Sequence, residues 1–113
     1  MVKFNSYVKH LGQHQVVEKM MHPNTAQIVV PENARSWIAS SYIANGGKTP
    51  LIIVTLSLKQ AENLAHDICQ LWPNIDLELF PSWETLPFER VSPQVQNMGR
   101  RNNVLWRLRS GNF

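Results

Sequence analysis
The feature that most constrains this chain is an apolar run joined to a strongly specified helix. Leu51-Ile52-Ile53-Val54 is continuously apolar, and Ser57 with Gln60 three residues later forms a capping-box signature. In that motif each side chain satisfies a backbone N–H group at the helix start. Beyond it, Ala61, Leu64, Ala65, Ile68, Leu71 and Trp72 recur at helical spacing and make one apolar stripe. Lys59, Glu62, Asn63 and Asp67 fall mostly away from the stripe, and Pro73 stops the helix. A short apolar run before such a helix has the composition of a strand covered on both faces.

The same alternation recurs on either side. Gln27–Val30 reads as a short apolar strand. Pro31-Glu32-Asn33 then opens a helix with Asn33 as N-cap and Ala34, Trp37, Ile38 and Tyr42 on its inner face. Gly46-Gly47 ends it. Asp76–Phe80 alternates polar and apolar, as a strand nearer a sheet edge does. This order predicts an α/β, three-layer architecture with a parallel sheet and right-handed crossovers.

A helix is expected over residues 4–21, where Phe4, Tyr7, Val8 and Leu11, then Val17, Met20 and Met21, supply the apolar positions. Gly12 weakens its middle and Pro23 bars its continuation. The chain therefore divides into an amino-terminal helical segment, residues 1–24, and an α/β half-domain, residues 25–113. A last helix is expected from Pro93 to Leu108, with Val95, Met98 and Leu105 as its core stripe, Trp106 on another side and Gly111 after it. Three strands make a small sheet. The sequence stops at Gly111-Asn112-Phe113, where another crossover would deliver a fourth strand, so it reads as a piece of a longer protein.

Composition narrows the function classes. Hydrophobic residues make up 43%, which suits a folded domain. Charged residues are only 17%, which reflects either a surface covered by another domain or compositional scatter. A net charge of +3 and a pI of about 9.4 permit nucleic acid as a partner but do not drive strong phosphate binding. The single cysteine, Cys69, makes no internal disulfide; it falls on the apolar side of its helix and reads as a small buried residue. Disulfide-free construction fits the cytoplasm. No apolar run is long enough to span a membrane, and the first residues lack the apolar core of a secretory signal.

Gly46-Gly47-Lys48-Thr49 imitates the end of a phosphate-binding loop, but two features exclude it. The first glycine of such a loop would fall at Tyr42. The motif also follows a helix and precedes Pro50, whereas a phosphate needs a helix N-terminus with its N–H groups and dipole. Where a phosphate loop belongs, Val30-Pro31-Glu32-Asn33-Ala34-Arg35-Ser36 has no glycine and no lysine, and Glu32 adds negative charge. His10 and His14 are four apart but lack a third metal ligand, and Leu11 stands where a metalloprotease carries glutamate. Glu84 and Glu89 have no nucleophile or base near them in sequence, so ion pairing with Arg90, Arg100 or Arg101 is their ordinary role. No catalytic, cofactor-binding or metal-binding residue is assigned.

Residues 80–93, Phe-Pro-Ser-Trp-Glu-Thr-Leu-Pro-Phe-Glu-Arg-Val-Ser-Pro, have neither helical nor strand periodicity. A structureless stretch of this length is either a functional or interface segment or a surface loop pinned by proline. Arg100, Arg101, Arg107 and Arg109 make the last helix basic, and Arg100 and Arg107, seven apart, share a face. They suit an acidic patch on a neighbouring domain better than DNA, because aromatic and arginine residues are enriched at interface cores. The mild charge supports phosphate contacts rather than base readout.

Trp83-Glu84-Thr85-Leu86-Pro87-Phe88-Glu89, with Ser92-Pro93 and Gly99-Arg100-Arg101, resembles the amino-terminal module of the bacterial transcription-repair coupling factors, the Mfd family. The similarity extends over residues 27–110 and is weak before residue 25. It implies a RecA-type, P-loop-helicase-like half-domain similar to the UvrB helicase subunit but without a Walker A cradle. It also implies that ATP and magnesium belong to motor domains elsewhere in such proteins. For the whole protein it implies an ATP-dependent translocase on double-stranded DNA that removes stalled RNA polymerase and recruits UvrA in nucleotide-excision repair. For these residues it implies a non-catalytic scaffold in contact with sister domains.

The contact candidates, toward sister domains or DNA, are Trp83, Glu84, Pro87, Phe88, Glu89, Arg90, Arg100, Arg101 and Arg107. In UvrB-like helicases the turn matching Thr55-Leu56-Ser57-Leu58-Lys59 faces nucleic acid, which makes Thr55, Ser57 and Lys59 weaker DNA-contact candidates. A capped helix with a solvated lysine accounts for the same three residues. A UvrB-type excision-repair helicase that binds DNA and nucleotide is the alternative. A free-standing α/β nucleotide-binding enzyme is a further one.

Overall fold
In the computed structural model, residues 4–10, 14–22, 27–83 and 94–113 are described. They form five α-helices: α1 (Phe4–His10), α2 (Gln15–Met21), α3 (Arg35–Ala44), α4 (Leu58–Leu71) and α5 (Val95–Ser110). A 3₁₀ turn, Glu32–Ala34, leads into α3.

The core is built around one face of α3 made of small side chains. Ser36, Ala39, Ser40 and Ser41 are all buried there. Their spacing brings them onto adjoining sides of a 3.6-residue helix, and their size lets neighbouring helices approach closely. α1, α2 and α4 all pack against α3. Val8 of α1 and Val17 of α2 are the two most deeply buried apolar residues, and Ile68 and Leu71 of α4 complete the core. The Ser41 hydroxyl donates to the Val8 carbonyl at 2.8 Å. That carbonyl belongs to the last turn of α1, where the helix offers no partner of its own.

α4 has the face that its sequence specifies. Ser57 Oγ accepts from the Gln60 N–H at 3.3 Å, and Gln60 Oε1 accepts from the Leu56 N–H at 3.2 Å, so the capping box is reciprocal. Trp72 closes the helix by donating to the Ile68 carbonyl at 2.8 Å, and Pro73 follows. α3 ends in a Schellman motif. Gly47 donates to the Tyr42 carbonyl at 2.9 Å and Gly46, at φ +83°, donates to the Ile43 carbonyl at 3.1 Å. A Cβ on Gly47 would overlap the Tyr42 ring, whose hydroxyl accepts from the Lys48 N–H at 3.0 Å.

The parallel sheet expected from the sequence is not there: the described residues contain no strand. Val29 is 92% exposed, Ile52 71% and Val54 89%, which is the opposite of a strand covered on both faces. The reason lies in the helices. A buried parallel strand needs helices on both faces, but here α1, α2 and α4 spend their apolar sides on α3. Among the described residues no helices remain to cover both faces of residues 27–30, 51–54 and 76–80, so the α/β, RecA-like fold class is overturned for the described residues.

Smaller expectations change for local reasons. The single helix over residues 4–21 becomes α1 and α2, because His14 caps the second: its carbonyl accepts from Val17 and Glu18, and its ring from Val16. Asn33 sits inside the 3₁₀ turn and does not cap α3, which starts without a side-chain cap. The inner face of α3 is the small-residue face, with Trp37, Ile38 and Tyr42 only half-buried. Cys69 is exposed rather than buried. On α5 the buried residue is Val104, while Val95, Met98 and Leu105, expected as the core stripe, are exposed.

Two serines allow a direct test of the core. Ser40 is 0% exposed, and its hydroxyl has no partner among the described residues. Ser41→Ala removes a buried bond and is expected to lower stability by about 1 kcal/mol. Ser40→Ala removes an unsatisfied polar group and is expected to leave stability unchanged or raise it. Urea denaturation of the two variants checks this; equal losses would contradict the packing described.

Candidate functional site
Residues 76–83 and α5 form an arm held together by two arginines. The α5 backbone stays apart from the backbones of α1–α4 among the described residues; its hydrogen bonds and ion pairs run to the segment before it. The alternation Asp76-Leu77-Glu78-Leu79-Phe80 puts Asp76, Glu78 and Phe80 on one side of the chain, as an extended backbone does with period two. α5 runs back along that side, so Arg107 meets Asp76 and Glu78, while Arg101 meets Phe80, Pro81 and Trp83.

Arg107 carries the denser set of contacts. Its guanidinium pairs with Asp76 and, at 3.0 Å, with Glu78 Oε1. It also lies 4.3 Å from the Phe113 ring centroid, and its Nε donates to the Asn112 carbonyl at 3.0 Å. The last two contacts depend on Gly111. Its φ of +71° turns the chain at the end of α5 and brings residues 112 and 113 back over the helix. The hydrogen bond to Asp76, then the charges of Asp76 and Glu78, push the Arg107 pKa further above its ordinary range despite partial desolvation. Asn103 also donates to Glu78 Oε1, at 3.4 Å.

Among the described residues Arg101 is stacked rather than ion-paired. Its guanidinium lies 4.1 Å from the Phe80 ring centroid and 4.6 Å from that of Trp83, and it donates to the Pro81 carbonyl. A planar, weakly hydrated cation suits this position where an ammonium does not. Phe80 and Trp83 each remain about half exposed, so the stack is presented at the surface.

The sequence-predicted residues divide accordingly. The structure brings Trp83, Arg101 and Arg107 into the same arm. Arg100 points elsewhere, lining a shallow depression with Glu62, His66 and Cys69 of α4 and Leu77 and Leu79. Arg100 and Arg107 therefore do not act as one basic face, because Arg107 is neutralised by two carboxylates. Thr55 Oγ1 donates to the Ser57 carbonyl at 2.9 Å and Ser57 Oγ receives the Gln60 N–H, so both hydroxyls serve the helix start, while Lys59 is exposed. Glu84, Pro87, Phe88, Glu89 and Arg90 lie outside the described residues. At the turn before α3, Glu32 approaches Arg35 at 4.0 Å, and Ala34 donates to the Pro31 carbonyl at 3.0 Å.

Sequence reasoning missed Asp76, Glu78, Phe80 and Phe113 as partners of the two arginines. The signal was present: two acids and an aromatic at period two stand opposite a helix containing arginines and no acid. Arg101→Lys is expected to lower stability by about 1 kcal/mol, because both stacking contacts weaken together. Thermal denaturation checks it. Arg107→Ala is expected to speed amide hydrogen exchange in α5 several-fold while leaving α3 and α4 unchanged. Exchange rising equally in all helices would show that the arm is not a separate unit.

Comparison with known proteins gives the family. No family model matches the chain, and no solved structure matches it. The transcription-repair-coupling factors of Mycobacterium bovis and Mycobacterium tuberculosis are each 37% identical over 86 residues, which is 76% of this chain and 7% of each relative. The transcription-repair-coupling factor of Haemophilus influenzae is 30% identical over 73 residues, 65% of this chain and 6% of that protein. This chain, which matches 7% of the length of its mycobacterial relatives, belongs to the transcription-repair-coupling factor family.

Proposed function
We propose that these residues are a non-catalytic part of the amino-terminal module of a transcription-repair coupling factor, serving as a scaffold and as a contact with sister domains. The observation that carries this reading is the 37% identity to two named coupling factors over 76% of the chain. The whole protein is then an ATP-dependent translocase on double-stranded DNA. It clears stalled RNA polymerase and recruits UvrA for excision repair in the cytoplasm. ATP and magnesium belong to its motor domains and not to this part. No helix among the described residues is long and apolar enough to cross a membrane, in keeping with that setting.

Two features support a non-catalytic role. The turn before α3, over residues 30–36, has no glycine or lysine and carries Glu32 where phosphate charge would fall. Gly46-Gly47-Lys48 is occupied as the C-terminal cap of α3, so its N–H groups answer helix carbonyls and the Tyr42 hydroxyl. The helix dipole at that end disfavours an anion. The contact role rests on the arm, which presents Trp83 and the Arg101 stack at the surface.

A UvrB-type helicase fragment that binds nucleotide is the competing reading. Titration of the chain with ATP and magnesium, followed through backbone amide NMR shifts, separates the two. The expected result is no saturable shift over residues 30–37. Saturable shifts clustered there would overturn the non-catalytic reading.

A further inference from the structure
The outward side of α5 is apolar, cationic and uncovered. On a helix of 3.6 residues per turn, Val95, Met98, Leu105 and Trp106 share one side with Arg109. Val95 is 83% exposed and Trp106 62%, with Leu105 and Met98 also open to solvent. The Phe80–Arg101–Trp83 stack lies along one flank of this side and extends it with two half-exposed rings. Residues 94–113 contain no aspartate or glutamate. The nearest carboxylates of the arm, Asp76 and Glu78, are taken up by Arg107 on the inner side of the helix. Arg101 and Arg109 have no carboxylate partner among the described residues.

We propose that this side of α5 is a docking surface for an acidic amphipathic helix supplied by another part of the same coupling-factor polypeptide. The proposal rests on the reading of this segment as a sister-domain contact and names the chemistry of the occupant. Three observations select it. Apolar side chains at i, i+3, i+10 and i+11 (Val95, Met98, Leu105 and Trp106), with the exposed Asn102 between them, form the ridge that a second helix receives in its grooves. The cations at the edge of the ridge call for carboxylates opposite, which excludes a second copy of α5, itself free of acids. Aliphatic Val95, Met98 and Leu105 at the centre have no counterpart on a nucleic-acid backbone, where affinity comes from phosphate contacts. The mycobacterial relatives are far longer than the matched 86 residues, which leaves ample chain to supply the helix.

The test is site-specific photo-crosslinking in the full-length protein, with benzoylphenylalanine in place of Trp106 and, separately, of Gln96, which is exposed on a different side of α5. Mass spectrometry is expected to find intramolecular cross-links from position 106. They should reach a segment whose apolar residues repeat at helical spacing between aspartates and glutamates. Arg109→Glu is expected to cut their yield several-fold, without changing the melting temperature. Cross-links joining two copies, cross-links to added DNA, or a yield from position 106 no higher than from position 96 would each overturn the proposal. The nucleotide titration decides the non-catalytic reading independently. An ATP site at residues 30–37 would end that reading whatever the cross-links show, and a silent titration with no cross-link would end only this one.

Discussion
The rest of the structure depends on the small-residue face of α3. Ser36, Ala39, Ser40 and Ser41 let three other helices pack against one ten-residue helix, and the buried bond from Ser41 to Val8 fixes α1 in place. This packing takes up the apolar sides of α1, α2 and α4, so among the described residues the apolar runs at 27–30 and 51–54 have no helix to lie under. The exposed Val29, Ile52 and Val54 are a direct consequence of where the helices spend their apolar surface.

The arm shows a different kind of order. It is held by charge and stacking rather than by a core, since Val104 is the only α5 residue buried among those described. The Cα radius of gyration is 16.1 Å, against about 13 Å for a compact domain of this length. Two arginines with different partners divide the work. Arg107 closes the C-terminal end of α5 onto Asp76 and Glu78, and Arg101 closes its middle onto two rings and a carbonyl. With α5 held along its inner side, its other apolar side is left facing solvent, and that is the surface through which this part of a coupling factor meets its neighbours in our proposal.

Much of this was legible in the residues. The Ser57–Gln60 box, the stripe from Ala61 to Trp72 and the stop at Pro73 describe α4 as it stands. The Gly46-Gly47 terminus is likewise where it was expected, and the phosphate-loop imitation at Gly46–Thr49 could be set aside from its position after a helix. These signals are local, because each depends on groups within about five residues of one another. The strands were not recoverable in the same way. An apolar run such as Leu51–Val54 declares that it fits a covered surface, and the cover must come from residues distant in sequence. The α5 stripe was misassigned for a similar reason: Val95, Met98 and Leu105 have helical spacing, but spacing alone does not say which side of the helix meets the protein.

The sequence by itself determined the stop of α3, the start and stop of α4, the absence of a glycine–lysine cradle before α3, and the family, because these are written in adjacent residues. Only the tertiary structure decided that the helices pack on each other rather than on a sheet. It also decided that Arg107 is neutralised while Arg101 is stacked, and that the apolar side of α5 faces outward. Each of those outcomes is set by competition among distant segments for a limited amount of apolar and charged surface, and no local pattern records which segment wins.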